Sequence, residues 1–143
     1  MNALPATLKE IDRQAFFRGG STSSGDMTKI TISELPNSLE FIGAQAFMYC
    51  TNITISMLGG PESNLRHVGF QAFARSCIGH PEITSITIGE NVELVENSGA
   101  YQTFYSGYDK VTDLYMFSKQ QLNTENIADA LFARTNITVH QQI

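Results

Sequence analysis

Two cysteines and three histidines are the most reactive side chains in this 143-residue sequence. They are Cys50 and Cys77, and His67, His80 and His140. Their positions do not follow the Cys/His spacing that is typical of zinc sites. A disulfide or half of a metal site is one interpretation of the cysteines. We favour the other, in which each is a small, buried apolar side chain at a corner of the fold. We expect neither a metal nor a cofactor.

Five acidic side chains between residues 90 and 113 offer oxygen ligands of the kind that Ca²⁺ prefers. They are Glu90, Glu93, Glu96, Asp109 and Asp113. Their spacing matches neither an EF-hand loop nor a nonapeptide calcium repeat, so we interpret them as a solvated acidic edge. The sequence also contains no nucleophile elbow, catalytic metal motif or dinucleotide fingerprint. We therefore predict that the protein is not an enzyme.

The segment 101–108, with the sequence YQTFYSGY, holds four tyrosine and phenylalanine rings beside a glycine. Exposed aromatic rings in such a loop suit stacking on sugar rings or anchoring of a protein partner. Tyr101 and Phe104 fit better as core residues of a distorted repeat. Tyr105 and Tyr108 are therefore the first candidate contacts with a partner.

A six-residue phrase recurs along the chain and predicts the architecture that positions these residues. It reads IDRQAF at residues 11–16, IGAQAF at 42–47 and VGFQAF at 68–73. Each copy places a β-branched apolar residue five positions before a phenylalanine, with Gln-Ala directly ahead of that phenylalanine. A repeat of this size is typical of a solenoid, in which each coil buries its apolar edge against the next coil.

A variable loop follows each copy, and then a short strand in which apolar and polar residues alternate. The predicted strands are residues 30–32, 53–55, 86–88, 114–116 and 137–139. Side chains alternate between the two faces of a strand, so the Ile, Leu, Val and Met side chains face the core. We expect about five coils and a parallel sheet of about five strands. The alignment of the second strand stays open, because Ile53, Ile55 and Met57 allow two registers.

The solvent-facing positions of these strands are a second set of candidate partner contacts. They include Thr31, Thr54, Thr87, Tyr115 and Thr138. A flat polar sheet face is a common binding surface of solenoids. The alternative is a solvated face on which threonine serves only as a good strand former.

The last repeat differs from the others. Leu122, Ile127, Ala130 and Leu131 have helical spacing within residues 118–133, which predicts about two turns of helix. We expect Phe132 to take the place of the phenylalanine in the earlier copies.

Charge and hydropathy exclude several classes of function. The net charge is −5, and the nine Lys and Arg residues form no basic stripe, which argues against nucleic-acid binding. No apolar run approaches the length of about 20 residues that a membrane-spanning helix needs, so we expect no membrane insertion. The first residues, MNALP, do not have the basic and apolar regions of a secretory signal.

The segment Leu35–Cys50, LPNSLEFIGAQAFMYC, resembles the BspA-type (treponemal-type) leucine-rich repeat. The resemblance is strong over residues 4–88 and weaker over residues 89–143, and it implies one solenoid domain over residues 1–143. It implies an α/β leucine-rich repeat solenoid with a short parallel sheet on one face and irregular or short helical corners on the other. It also implies binding at an extracellular, cell-surface or virion-surface location, and no catalytic residues.

Two functions are compatible with these features. The first is a non-catalytic protein- or glycan-binding module of a bacterial surface or adhesion type. The alternative is a structural or decoration subunit of a larger assembly, such as a bacteriophage particle. Solenoid ends expose apolar coils and unpaired strand edges unless they are capped. We therefore expect self-association or neighbouring subunits at poorly capped ends.

Overall fold

In a computed structural model, the chain folds as a parallel β-solenoid. The structure describes residues 2–20, 30–96, 102–118, 131–132, 134 and 136–141. Their elements are β1 (Glu10–Ile11), a 3-10 helix (Phe17–Gly20), β2 (Phe41–Ile42), β3 (Met57–Leu58), β4 (His67–Val68), β5 (Ser85–Ile88), β6 (Leu94–Val95), β7 (Asp113–Met116) and β8 (Thr138–Gln141). The predicted solenoid is confirmed, and strand and turn dominate over helix in this part of the chain.

The repeated phrase begins in a parallel sheet of its own, which we call sheet 1. Its strand order is β1-β2-β4-β6. Ile11 pairs with Ile42, Ile42 with Val68, and Val68 with Val95. All four side chains are buried. The β-branched residue of each phrase is thus both a strand residue and one step of a buried ladder in the core. The strands of sheet 1 were not among those predicted from sequence.

The second sheet, sheet 2, has the strand order β3-β5-β7-β8, again parallel. The predicted pairing of residues 86–88 with residues 114–116 is confirmed, with Ile86 opposite Leu114 and Ile88 opposite Met116. Burial alternates along both strands as expected, with the apolar positions buried and the intervening positions half-buried.

The last strand pairs in a different register from the expected one. Leu114 lies opposite Val139, not Ile137, so β8 is shifted by two residues. A shift of two residues keeps every side chain on its own face, and the hydrophobic pattern alone therefore cannot distinguish the two registers. The observed register places His140 opposite Tyr115, where the two rings stack with centroids 4.6 Å apart.

The first two predicted strands are not strands of either sheet. Residues 30–32 and 53–55 have buried isoleucines, and the amide of Thr54 donates to the carbonyl of Ile32 at 3.0 Å. The second strand lies instead at Met57–Leu58, where Leu58 is buried opposite Ile88. Met57, which we expected to face inward in one register, faces outward.

The phenylalanines of successive coils form one continuous stack inside the solenoid. Adjacent ring centroids lie 5.2, 5.4, 5.6 and 4.7 Å apart, with interplanar angles between 9° and 17°. The stack runs through Phe16, Phe47, Phe73, Phe104 and Phe132. Each such pair contributes about 0.5–1.5 kcal/mol beyond the burial of apolar area. The prediction that Phe132 replaces the phenylalanine of the earlier copies is confirmed.

The predicted helix over residues 118–133 lies mostly outside the described residues. Leu131 and Phe132 are helical. Ser118 is not helical, and its buried hydroxyl donates instead to the carbonyl of Val92.

The glycine in the phrase permits the close approach of neighbouring coils. A Cβ atom on Gly43 would lie 2.4 Å from the backbone nitrogen of Arg13, and one on Gly69 would lie 2.4 Å from that of Ala44. Real Cβ atoms do not approach backbone atoms so closely. The coil spacing at this corner therefore requires glycine.

The glutamine in the phrase links three coils through its side chain. Gln14 Nε2 donates to Gln45 Oε1 at 2.6 Å, and Gln45 Nε2 donates to Gln71 Oε1 at 2.9 Å. All three glutamines have positive φ angles, 58°, 59° and 52°. A left-handed conformation costs a non-glycine residue about 1–2 kcal/mol. The hydrogen bonds of this ladder, with the backbone bonds between the same coils, offset that cost.

Candidate binding face

Tyr108 is a core residue, and the prediction that it contacts a partner is wrong. Its side chain is buried, and its ring packs edge-on against Phe73 and Phe104. Its hydroxyl donates to the carbonyl of Ile55 at 2.6 Å, and burial raises the pKa of this hydroxyl well above its usual value. Positive φ angles at Ser106 and at Tyr108 itself accompany the turn that directs the ring inward.

Tyr105 remains accessible in part. It is half-buried in the corner of the fourth coil, where its carbonyl accepts a hydrogen bond from the amide of Arg75 at 2.8 Å. Its role as a partner contact stays a prediction. Tyr101 lies outside the described residues.

The two cysteines are free, buried thiols in adjacent coils. The Cys50 thiol donates to the carbonyl of Phe16 at 2.9 Å, and the amide of Cys77 donates to the carbonyl of Cys50. Burial, with the carboxylates of Asp109 and Glu82, raises the pKa of Cys77 to about 12. A thiol in this state is a poor nucleophile and a poor metal ligand. The described residues contain no group of three His, Cys, Asp or Glu side chains able to hold a metal ion.

The five carboxylates proposed as an acidic edge lie apart on the solenoid. Glu93 pairs with Arg66 at 3.6 Å on the outside of the molecule, and Glu96 pairs with His67 at 3.5 Å. Asp113 lies on sheet 2, where the ring of His140 approaches its carboxylate at 2.9 Å. Hydrogen bonds from His140 and then Thr112 lower the pKa of Asp113. Glu93, Glu96 and Asp113 therefore each have a local partner in a different part of the solenoid.

The outward face of sheet 2 carries two rows of side chains. One row is Met57, Thr87, Tyr115 and His140, and the other is Ser85, Asp113 and Thr138. Thr87 and Tyr115, both candidate contacts, are therefore neighbours as predicted.

The remaining candidate contacts are not in that row. Thr138 lies in the other row, because β8 is shifted by two residues. Thr54 lies before β3, and Met57 takes the place expected for it beside Thr87. Thr31 is exposed beside the first coil, outside the assigned strands. The outward face is thus centred on β5, β7 and β8.

Beside the first row lies a groove of about 490 Å³. Its lining combines apolar side chains, glycine backbone and one carboxylate: Met57, Gly59, Gly60, Pro61, Thr87, Gly89, Glu90, Tyr115 and Phe117. Met57 is 51% exposed and Phe117 is 38% exposed. A Cβ atom on Gly89 would lie 1.6 Å from the carbonyl oxygen of Gly59, so that part of the lining is bare backbone.

A second groove of about 590 Å³ adjoins the first around the turn Gly59–Pro61. The two share Met57 and this turn, and the second extends from the turn to the first coil. Its lining is more polar and includes Ser33, Glu34, Asn37, Ser56, Glu62 and Ser63. We call the two together the sheet-2 groove. Met57, Phe117 and the glycine turn were not among the residues proposed from sequence. Alternation from Tyr115 would have placed Phe117 on the same outward face.

A family model for the BspA type leucine rich repeat region matches residues 3–141 in six copies. The chain belongs to the BspA-type leucine-rich repeat family. The match includes the distorted repeats after residue 88, where the resemblance in sequence is weaker. This agrees with the phenylalanine stack, which continues through Phe104 and Phe132. Comparisons with curated proteins and with solved structures found no match for this BspA-type repeat protein. Within the described residues, no helix has the length and apolar character to cross a membrane.

Proposed function

We propose that this BspA-type repeat chain is a non-catalytic binding module of an adhesive surface protein, and that it binds its partner on the outward face of sheet 2. The observation that carries the proposal is the sheet-2 groove, in which exposed apolar side chains lie on a rigid parallel sheet. Exposed apolar side chains grouped in one groove are a common feature of partner-binding sites.

The side chains of this face are held in place before any partner binds. Tyr115 stacks on His140 with an interplanar angle of 14°, and His140 in turn contacts the carboxylate of Asp113. The hydroxyl of Thr112 donates to the same carboxylate at 2.8 Å. A side chain that is already ordered loses less conformational entropy on binding, which favours affinity.

The test is a binding screen of the purified chain against immobilised matrix proteins and glycans. We expect at least one specific partner, and we expect Tyr115→Ala to weaken binding to it by about tenfold or more. Tyr49→Ala is the matched control, because Tyr49 is a half-buried tyrosine in the phenylalanine-bearing corner of the second coil and not on sheet 2. Equal losses in the two variants, or no partner at all, would contradict the proposal.

A second candidate function, a structural subunit of a larger assembly such as a phage particle, has support from the strand order. In the described part of the chain, β1 is an edge strand of sheet 1 and β8 is an edge strand of sheet 2, and edge strands can pair with a neighbouring chain. Light scattering tests this alternative. A mass that rises with concentration supports it, and a monomer at millimolar concentration tells against it.

A further inference from the structure

We infer that the sheet-2 groove binds an extended, basic peptide segment of a partner protein, with an aromatic or aliphatic side chain against Tyr115 and Phe117 and a Lys or Arg side chain near the glutamates. This inference rests on the proposed binding function and narrows it to one class of partner. It follows from the length, the apolar lining and the charge of the groove.

The groove is long enough for a short extended segment. Glu34 comes from the first coil, Met57 from the second, Thr87 from the third and Tyr115 from the fourth. Neighbouring parallel strands lie about 4.8 Å apart, so the groove crosses about 15 Å of sheet. An extended chain rises about 3.3 Å per residue, and the groove therefore matches about four or five residues of a peptide.

One end of the groove is apolar. Met57 and Phe117 are two of the three large apolar side chains that are exposed in the described part of the chain. Tyr115 lines the same groove from β7, the strand that Phe117 follows. Burying an aromatic or aliphatic side chain there removes apolar surface from water on both partners. The ordered ring of Tyr115 offers a flat surface for an aromatic partner side chain.

The other side chains of the groove supply negative charge without any positive charge. Glu34, Glu62 and Glu90 line it and are exposed, and the described lining includes no Lys, Arg or His. None of these three glutamates forms an ion pair with another described residue. The chain as a whole has a net charge of −5. A basic segment is therefore attracted to the groove, and an acidic segment is repelled.

Glycine turns let a peptide backbone approach the sheet. Gly59 and Gly89 are in backbone contact, and a side chain on Gly89 would overlap the carbonyl of Gly59. The middle of the groove is consequently free of side chains at these two positions. A bound segment can lie against this backbone while its side chains reach Phe117 on one side and Glu62 on the other.

The experiment measures fluorescence anisotropy of labelled eight-residue peptides with the full chain. One peptide alternates Lys or Arg with Phe or Leu, a second replaces each cation with Glu, and a third keeps the cations and replaces the apolar residues with Ser. We expect the first peptide to bind at least tenfold more tightly than either of the others. Its affinity falls as salt is added, because the glutamate contacts are exposed to solvent.

Two pairs of variants assign the binding to the groove. Phe117→Ala should weaken binding of the first peptide by about tenfold, whereas Ile78→Ala should leave its affinity unchanged, although both side chains are 38% exposed. The triple change Glu34→Gln, Glu62→Gln and Glu90→Gln should remove most of the salt dependence. The control is a triple change with the same effect on net charge, Glu10→Gln, Asp12→Asn and Glu40→Gln. It alters exposed carboxylates outside the groove, and we expect the salt dependence of binding to remain.

The possible results separate this inference from the proposed function. Equal binding of the basic and acidic peptides, or equal effects of the two triple changes, overturns the inference. Binding of neutral oligosaccharides that Phe117→Ala abolishes, with no binding of any peptide, also overturns it but supports the proposed function. If the chain self-associates and Phe117→Ala abolishes this, the groove binds a second copy of the chain, and the basic-peptide inference is overturned as well. If Tyr115→Ala and Phe117→Ala leave every measured interaction unchanged, both proposals fail.

Discussion

The hydroxyl of Tyr108 joins two distant segments of the chain within the core. It donates to the carbonyl of Ile55, and no water is needed to satisfy either group. The ring at the same time closes the side of the stack formed by Phe73 and Phe104. A tyrosine in this position stabilises the fold through its hydroxyl as well as through its ring.

Tyr108→Phe should therefore lower the free energy of unfolding by about 1–3 kcal/mol, because it leaves the buried carbonyl of Ile55 without this donor. Urea denaturation measures the change. Tyr105→Phe is the control, since that side chain is only half-buried, and we expect it to change stability by less than about 0.5 kcal/mol. If Tyr108→Phe leaves the free energy of unfolding unchanged, the hydrogen bond makes no net contribution to stability.

Alkaline pH should destabilise the protein through Cys77. The pKa of Cys77 is raised to about 12 in the fold from its ordinary value of 9.0, so the unfolded chain releases this proton at a lower pH than the folded chain. Stability is therefore greatest below about pH 9 and falls as the pH rises toward 12, by at most about 1.4 kcal/mol per pH unit. The raised pKa of Tyr108 acts in the same direction above pH 10.

The measurement is urea denaturation of the wild-type chain and of Cys77→Ala at several pH values between 8 and 11. We expect a shallower loss of stability in Cys77→Ala, whatever its stability at pH 8. Parallel pH profiles for the two proteins would show that Cys77 does not cause the loss of stability at alkaline pH.

At the scale of the element, four residues of the Ile-Gly-Ala-Gln-Ala-Phe phrase have separate parts in joining one coil to the next. Ile42 pairs within sheet 1, Gly43 permits the close approach of the coils, Gln45 bridges two neighbouring coils, and Phe47 stacks between two rings. Because the phrase is repeated in successive coils, these four contacts are repeated along the solenoid.

Gly69→Ala should be severely destabilising, by about 3 kcal/mol or more, because its Cβ would meet backbone atoms of Ala44 that cannot move independently. Gly79→Ala is the matched control. Gly79 has a φ of +74° and nothing within 4 Å of an added Cβ, so only the cost of the left-handed conformation applies, about 1 kcal/mol. Thermal unfolding distinguishes the two, and equal shifts in Tm would contradict the role of coil contact at Gly69.

The same elements explain which parts of the fold were predictable from sequence. The phrase predicted the coils and the phenylalanine anchors, because those residues recur at fixed positions relative to one another. It could not predict the register of β8, since a shift of two residues leaves the inward and outward faces unchanged. The burial of Tyr108 could not be predicted either, because it accompanies positive φ angles at Ser106 and Tyr108, and residue type does not specify that conformation at non-glycine residues.

The candidate site was predictable only in its general location. Alternation identified Thr87 and Tyr115 as outward neighbours, and the structure places them side by side. The apolar groove depends on Met57, which faces outward because Leu58 takes the buried position. It also depends on the contact between Gly59 and Gly89, which belong to different coils. Such contacts between coils are set by the solenoid as a whole and not by any local pattern.

At the scale of the whole molecule, the proposed binding face lies apart from several of the contacts that join the coils. Sheet 1, the phenylalanine stack and the glutamine ladder hold the coils together. Sheet 2 turns its outward face, with the groove, to solvent. Substitutions in the groove should therefore test the proposed binding function without unfolding the chain.

The most direct test of the binding face is an amide chemical-shift titration of the isotope-labelled 15.8 kDa chain with the basic, aromatic eight-residue peptide. We expect the largest shifts at Met57, Thr87, Tyr115 and Phe117, and we expect them to grow to saturation. Amides of β1, β2 and β4 in sheet 1 should remain unchanged. Saturable shifts centred on sheet 1, with sheet 2 unaffected, would contradict the assignment of the outward face of sheet 2 as the binding site.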